Sequence, residues 1–201
     1  MDLVKYIEKT PLLDHHCHFL IDGSITTRKK RTVQVSSEAD SSYYSLADTK
    51  ARLAWWQFQA EAKHFKKDFD PLKQLSAKQY KQYVAKLFKH YNYKTLLLDT
   101  GFVPKDAIVN LNETKKLTQT NVYPIYRLET NAQEIMQKTS NFEEWWQQLK
   151  ASVAKAKKLG YVGFKSIAAY RFGLKITNVS KAEAKDAFLA WKNSGDRKSV
   201  V

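Results

Sequence analysis

The chain has 201 residues, 43% hydrophobic and 13% aromatic, and its 34 Lys and Arg outnumber 20 Asp and Glu to leave a formal charge of +14. That much apolar matter excludes a wholly disordered chain and provides for a sizeable core. No run approaches the roughly 18 apolar residues that span a bilayer, MDLVKYIEKT lacks the regions of a secretory leader, and a lone cysteine permits no internal disulfide, so the expected location is cytoplasmic, away from any membrane.

After a short helical start, Leu12 to Phe19 reads as a strand. It lies in PLLDHHCHFLIDG, Pro11 to Gly23, where three histidines and the cysteine crowd an otherwise apolar run ending at an Asp22-Gly23 turn. Alternate side chains of a strand share a face, so Asp14, His16 and His18 project together while His15 and Cys17 point the other way. Two imidazoles two residues apart can hold one divalent ion from the same side, with Asp14 able to orient a ring. Zinc is the first choice, and manganese or iron also accept nitrogen ligands. The competing reading is a pair of partly buried histidines satisfied by backbone carbonyls.

Beyond the run Arg28-Lys29-Lys30-Arg31, the cations are scattered at helical spacing, as in KHFKKDFDPLKQLSAKQYKQYVAKLFKHYNYK. That is the pattern of solvated helix faces, and it argues against a nucleic-acid partner. The interval to the next strand exceeds an ordinary crossover, so about 39–93 is expected to form a helical insertion. His64 and His90 fall inside it.

The second strand is TLLLDTGF from Thr95, continuously apolar as a parallel strand covered on both faces. NVYPIYRLET from Asn121 is the third and GYVGFKSIAAY from Gly160 the fourth. Between them Asn141 caps a helix, with Glu144 completing a capping-box-like pair and Gly160 ending it. Its expected buried stripe is Phe142, Trp145, Trp146, Leu149, Val153 and Leu159. Ser180 and Glu183 repeat the capping signature before AKDAFLAW. Strands separated by helices predict an α/β fold of parallel βα units. Tyr170 and Arg171 follow the fourth strand, where Arg171 can grip a substrate carboxylate bidentately or form a surface ion pair.

Asp14-x-His16-x-His18 on a first strand resembles the signature of the amidohydrolase superfamily, metal-dependent hydrolases built on a (β/α)8 barrel. GFKSIAAYRFGL, LLLDTGF and YRLE are similar to the amidohydrolase-related branch that includes domains fused to glutamine-synthetase-like proteins. The resemblance implies the N-terminal half of a (β/α)8 TIM barrel with a helical insertion after the first strand. It implies that His16 and His18 bind one or two divalent ions, most simply zinc, and that the metal activates water to cleave an amide-type C–N bond of a small molecule. Some members bridge two ions with a carbamylated fourth-strand lysine, the position of Lys165. Carbamylation needs a neutral amine, and the alternatives are pairing with Glu129 or contact with substrate. Asp99 and Glu129 close the second and third strands, at the barrel face where active sites are built, and so stand as candidate substrate-binding groups.

The histidines of later strands and the late aspartate that acts as general base have no counterpart, so no catalytic residue is assigned and residues 1–195 are expected to be a partial barrel, inactive alone. Asp196 to Val201 can be encoded by GATCGGAAGAGCGTCGTG, a common sequencing-adapter sequence whose next codon is a stop, so 196–201 is expected to be a non-native tail. An incomplete barrel exposes an edge and an apolar face, which allows for a homo-oligomer. Metal-dependent decarboxylation is the alternative chemistry of the same superfamily, and a basic nucleic-acid-binding module is the alternative outside it.

Overall fold

The computed structural model describes residues 2–20, 45–51, 56, 60, 76–102 and 110–194. The Asp22-Gly23 turn, the basic run at 28–31, His64 and the tail at 196–201 lie outside the described residues. Helix α1 (Leu3–Lys9) precedes β1 (Leu12–Cys17), and α2 (Leu46–Lys50) and α3 (Ala77–His90) precede β2 (Tyr93–Asp99). Helix α4 (Leu111–Thr118) leads to β3 (Asn121–Arg127), α5 (Leu128–Lys138) and α6 (Phe142–Lys155) to β4 (Gly163–Lys165), and α7 (Ala168–Phe172) and α8 (Lys181–Ser194) follow. The strands form one sheet in the order β1-β2-β3-β4, and β3 runs parallel to β4 with Arg127 opposite Lys165.

Two compact units divide the chain. The first comprises Met1–His15, Phe19–Leu96 and Val103–Val122. Here Ser76 caps α3 through a reciprocal box, its Oγ accepting the Gln79 N–H while the Gln79 side chain accepts the Ser76 N–H. Helix α4 is capped by Asn110 and ends at Gln119 in the left-handed region. These helices pack together, with Val84 and Leu117 buried. Within the expected insertion the described residues include α2 and α3.

The second unit comprises His16–His18, Leu97–Phe102 and Tyr123–Val201. Its core joins Met136 of α5, Phe142 of α6 and Phe188 of α8, with Trp145, Ala184 and Trp191 packed around them. The cap of α6 is Asn141, whose Oδ1 accepts the Glu144 N–H at 3.0 Å, while the Glu144 carboxylate accepts from Ser140. A 3₁₀ turn, Ala156–Leu159, carries α6 on to Gly160, whose φ of 89° suits a residue without a β-carbon. Two members of the expected stripe face solvent: Trp146 is exposed and Leu159 is 66% exposed, because the tighter turn rotates Leu159 off the α-helical register.

The expectation of half a (β/α)8 TIM barrel is corrected to an α/β fold with a four-stranded sheet. Among the described residues the strands form a single four-stranded sheet with β1 and β4 outermost. Alternating strands and helices are common to open α/β sheets and barrels, so the βα repeat alone did not discriminate between them. The fourth strand is also shorter than expected. It stops at Lys165 because Ser166 turns the chain, its Oγ accepting the Ala168 N–H at 3.1 Å, and Ala168–Phe172 is helical. No helix among the described residues is long and apolar enough to cross a membrane.

Candidate metal centre

All the residues brought together here belong to the second unit. Strand β1 ends at Cys17, so His16 is in the strand and His18 just beyond it, at the carboxyl end of the sheet. Their rings stand edge to face, centroids 5.0 Å apart, and the His18 ring meets Phe102 in the same way at 5.4 Å. The Cys17 Sγ turns away, to the carbonyl of Leu97.

Asp99, the last residue of β2, is 0% exposed. A buried carboxylate must be met by donors or positive charge, and this one is met on both oxygens. Its Oδ1 accepts the Gly101 N–H at 2.9 Å. Its Oδ2 faces His16 Nε2 at 3.4 Å, Arg127 Nε at 3.4 Å and Lys165 Nζ at 3.7 Å. Lys165 closes β4, and its Nζ lies 2.6 Å from His16 Nε2.

One ligand atom from each of His16, His18 and Asp99 lies within 4.8 Å of the others. Two imidazole nitrogens and a carboxylate oxygen suit zinc, manganese or iron, so the donor set fits a divalent transition ion. Partial burial lowers the His18 pKa below the usual imidazole value, Asp99 opposing the shift and His16, Lys165 and Arg127 adding to it. The ring is therefore held in the neutral form that binds metal.

The sequence-derived residues distribute unevenly. His16, His18, Asp99 and Lys165 converge. Glu129 is buried near the start of α5, where its Oε1 accepts from the Ser166 hydroxyl and from the Ile167 N–H at 2.9 Å, fixing the backbone that follows Lys165. Arg171 lies on α7 with its side chain outside the described residues. Asp14 does not join the three ligand atoms, and His90 lies on α3 of the first unit. Sequence reasoning missed Arg127, Gly101 and Phe102. A signal was present: β2, β3 and β4 all end on a charged residue, Asp99, Arg127 and Lys165, after apolar runs.

A crystal structure of a candidate metal-dependent hydrolase from Lactobacillus casei ATCC 334 is 49% identical to this chain and superposes with a TM-score of 0.89. The match covers 97% of this chain and 52% of that protein, so the chain spans about half its length. Neither a protein-family model nor a curated protein matches the sequence.

Proposed function

We propose that this chain carries the divalent-metal centre of a hydrolase, that zinc is its ion, and that the bond cleaved is of the amide C–N type in a small molecule. The observation that carries the reading is the approach of His16, His18 and Asp99 to within 4.8 Å of one another at the carboxyl ends of β1 and β2. The likeness to the Lactobacillus casei protein supports a hydrolase. When bound, such an ion polarises a carbonyl and supplies a nucleophilic water at neutral pH.

The chain's own residues prepare that site. His16 and His18 are the nitrogen ligands and Asp99 the oxygen ligand, held by the Gly101 N–H so that Oδ2 remains with the histidines. Lys165 joins as its carbamate, a carboxylate-like group formed when the neutral amine adds to carbon dioxide and releases a proton. Glu129 fixes the Ser166-Ile167 backbone and with it the start of the chain beyond Lys165.

The test is titration of the chelator-treated chain with Co²⁺, followed by its visible absorption. One ion per chain is expected, with affinity at least about a hundredfold weaker in His16→Ala and His18→Ala, since even residues outside a ligand set cost 10–100-fold. A wild-type chain that takes up no ion, or variants that bind as well as it does, would sink the reading.

A further inference from the structure

Arg127 closes β3 and no sequence motif assigns it a role, yet its placement is unusual. A β-carbon on Gly101 would lie 2.3 Å from Arg127 Cβ, 2.7 Å from Cδ and 3.0 Å from Cγ. The aliphatic stem of Arg127 therefore lies flat on the Gly101 backbone, in space that any other residue would occupy. Its Nε is buried at ion-pair distance, 3.4 Å, from Asp99 Oδ2 without the alignment of a hydrogen bond. The guanidinium then extends over the Phe102 ring, Cζ 5.7 Å from its centroid. Gly101 meanwhile donates its N–H to the other oxygen of Asp99, and its carbonyl accepts the Thr130 hydroxyl at 3.0 Å. The turn after β2 thus holds Asp99 from both sides: the glycine amide takes Oδ1, and the arginine it admits faces Oδ2.

We propose that Arg127 and Gly101 form a single device that positions Asp99: Gly101 leaves room for the Arg127 stem, and the permanent charge of Arg127 offsets the burial of the carboxylate and directs Oδ2 toward His16 and His18. Arg127 is a positioning residue, acting through Asp99 and not on the ion. An arginine suits this use because its charge cannot be lost by deprotonation and its planar head is weakly hydrated, so it tolerates a buried place beside an aromatic ring. The inference rests on the metal reading for its consequence, whereas the pairing of Arg127 with Asp99 stands on the geometry alone.

A double-mutant cycle in the full chain separates the two. Arg127→Met is expected to weaken Co²⁺ binding about 10–100-fold, as loss of a group supporting a ligand does. Gly101→Ala should do the same by displacing the stem, and Arg127→Lys should recover part of the loss. In an Asp99→Asn background Arg127→Met should cost nothing further. An equal loss with or without the Asp99 carboxylate would overturn the inference, because Arg127 would then act by another route. The same cycle is read in metal-free protein as Tm, where the two substitutions should again be non-additive. If the chain binds no ion but the Tm values couple, the metal reading fails and the Arg127–Asp99 device stands. Additive Tm values overturn the device whatever the metal does. Arg127→Lys, which keeps the charge and most of the stem, serves where Arg127→Met does not fold.

Discussion

Lys165 decides the charge of the candidate centre. As an ammonium it lies 2.6 Å from His16 Nε2 and 3.7 Å from Asp99 Oδ2, among the atoms that would ligate a cation. Two unit charges of like sign about 4 Å apart repel by about 4 kcal/mol at an effective dielectric of about 20, and a divalent ion doubles that. Because Lys165, unlike Arg127, also contacts the His16 ring nitrogen, its charge is the one whose loss is expected to favour metal uptake. Carbamylation does this and adds an oxygen ligand. Bicarbonate should therefore strengthen Co²⁺ uptake, native mass spectrometry should detect the mass of carbon dioxide on Lys165, and Lys165→Met should bind weakly and ignore bicarbonate. A Lys165→Met chain that binds more tightly than wild type, with no bicarbonate effect, would identify the lysine as a competing cation. His16 and His18 stood out in the sequence because strand alternation aligns them, whereas Asp99 was marked there only as a substrate-binding candidate at a strand end and Lys165 only by the resemblance. Arg127 was not, since its contact with Asp99 depends on the missing β-carbon of Gly101, which only the folded turn reveals.

Among the elements, α8 tests how far local signals carry. It begins as the sequence predicts, with Ser180 Oγ accepting the Glu183 N–H at 3.2 Å and the Glu183 carboxylate accepting the Ser180 N–H at 2.8 Å. It delivers Phe188 into the core against Phe142, ring centroids 5.9 Å apart. Donation to the Glu183 carboxylate, from the Ser180 hydroxyl first and then from the Ser180 N–H, lowers its pKa below the usual carboxylate value. A depressed folded-state pKa means that the unfolded chain binds the proton more readily, so the contribution is present above the unfolded value near 4.5 and is lost as pH falls through the lower, folded one. Glu183→Gln should accordingly lower Tm at pH 7 and converge with wild type as pH falls below the depressed folded-state pKa, while Ser180→Ala should cost about 1 kcal/mol as a lost cap. A Tm difference for Glu183→Gln that does not change as the pH is lowered would show that the carboxylate charge is irrelevant to the cap. Caps of this sort, and the apolar strands, were readable because they depend on neighbours a few residues away. The end of β4 and the exposure of Leu159 were not, being fixed by the turn at Ser166 and the 3₁₀ turn before Gly160.

For the whole molecule, the formal charge of +14 and the candidate centre make opposite demands on salt. A chain so basic is attracted to any polyanion at low ionic strength, and such binding weakens steeply as salt rises because it is driven by counterion release. Ligation at His16, His18 and Asp99 depends on short-range bonds to nitrogen and oxygen, which salt screens little. The described lysines of the first unit's helices, Lys78, Lys81, Lys86 and Lys89 of α3 and Lys115 and Lys116 of α4, recur among exposed positions, and the aromatics between those of α3, Tyr80, Tyr83 and Phe88, are half-buried instead of forming an exposed row on which bases could stack. Binding to a single-stranded oligonucleotide should therefore be weak, insensitive to its sequence and largely gone when salt is raised from about 50 to 200 mM, an interval that costs 10³–10⁵ in affinity for a protein with 6–10 phosphate contacts. Co²⁺ uptake should persist across the same range. His16→Ala should abolish metal uptake and leave oligonucleotide retention as it was, because one ring at the candidate centre adds little to a diffuse cationic surface. Tight, sequence-selective binding that survives 200 mM salt would instead make nucleic acid a specific partner and require the basic surface to be a built site.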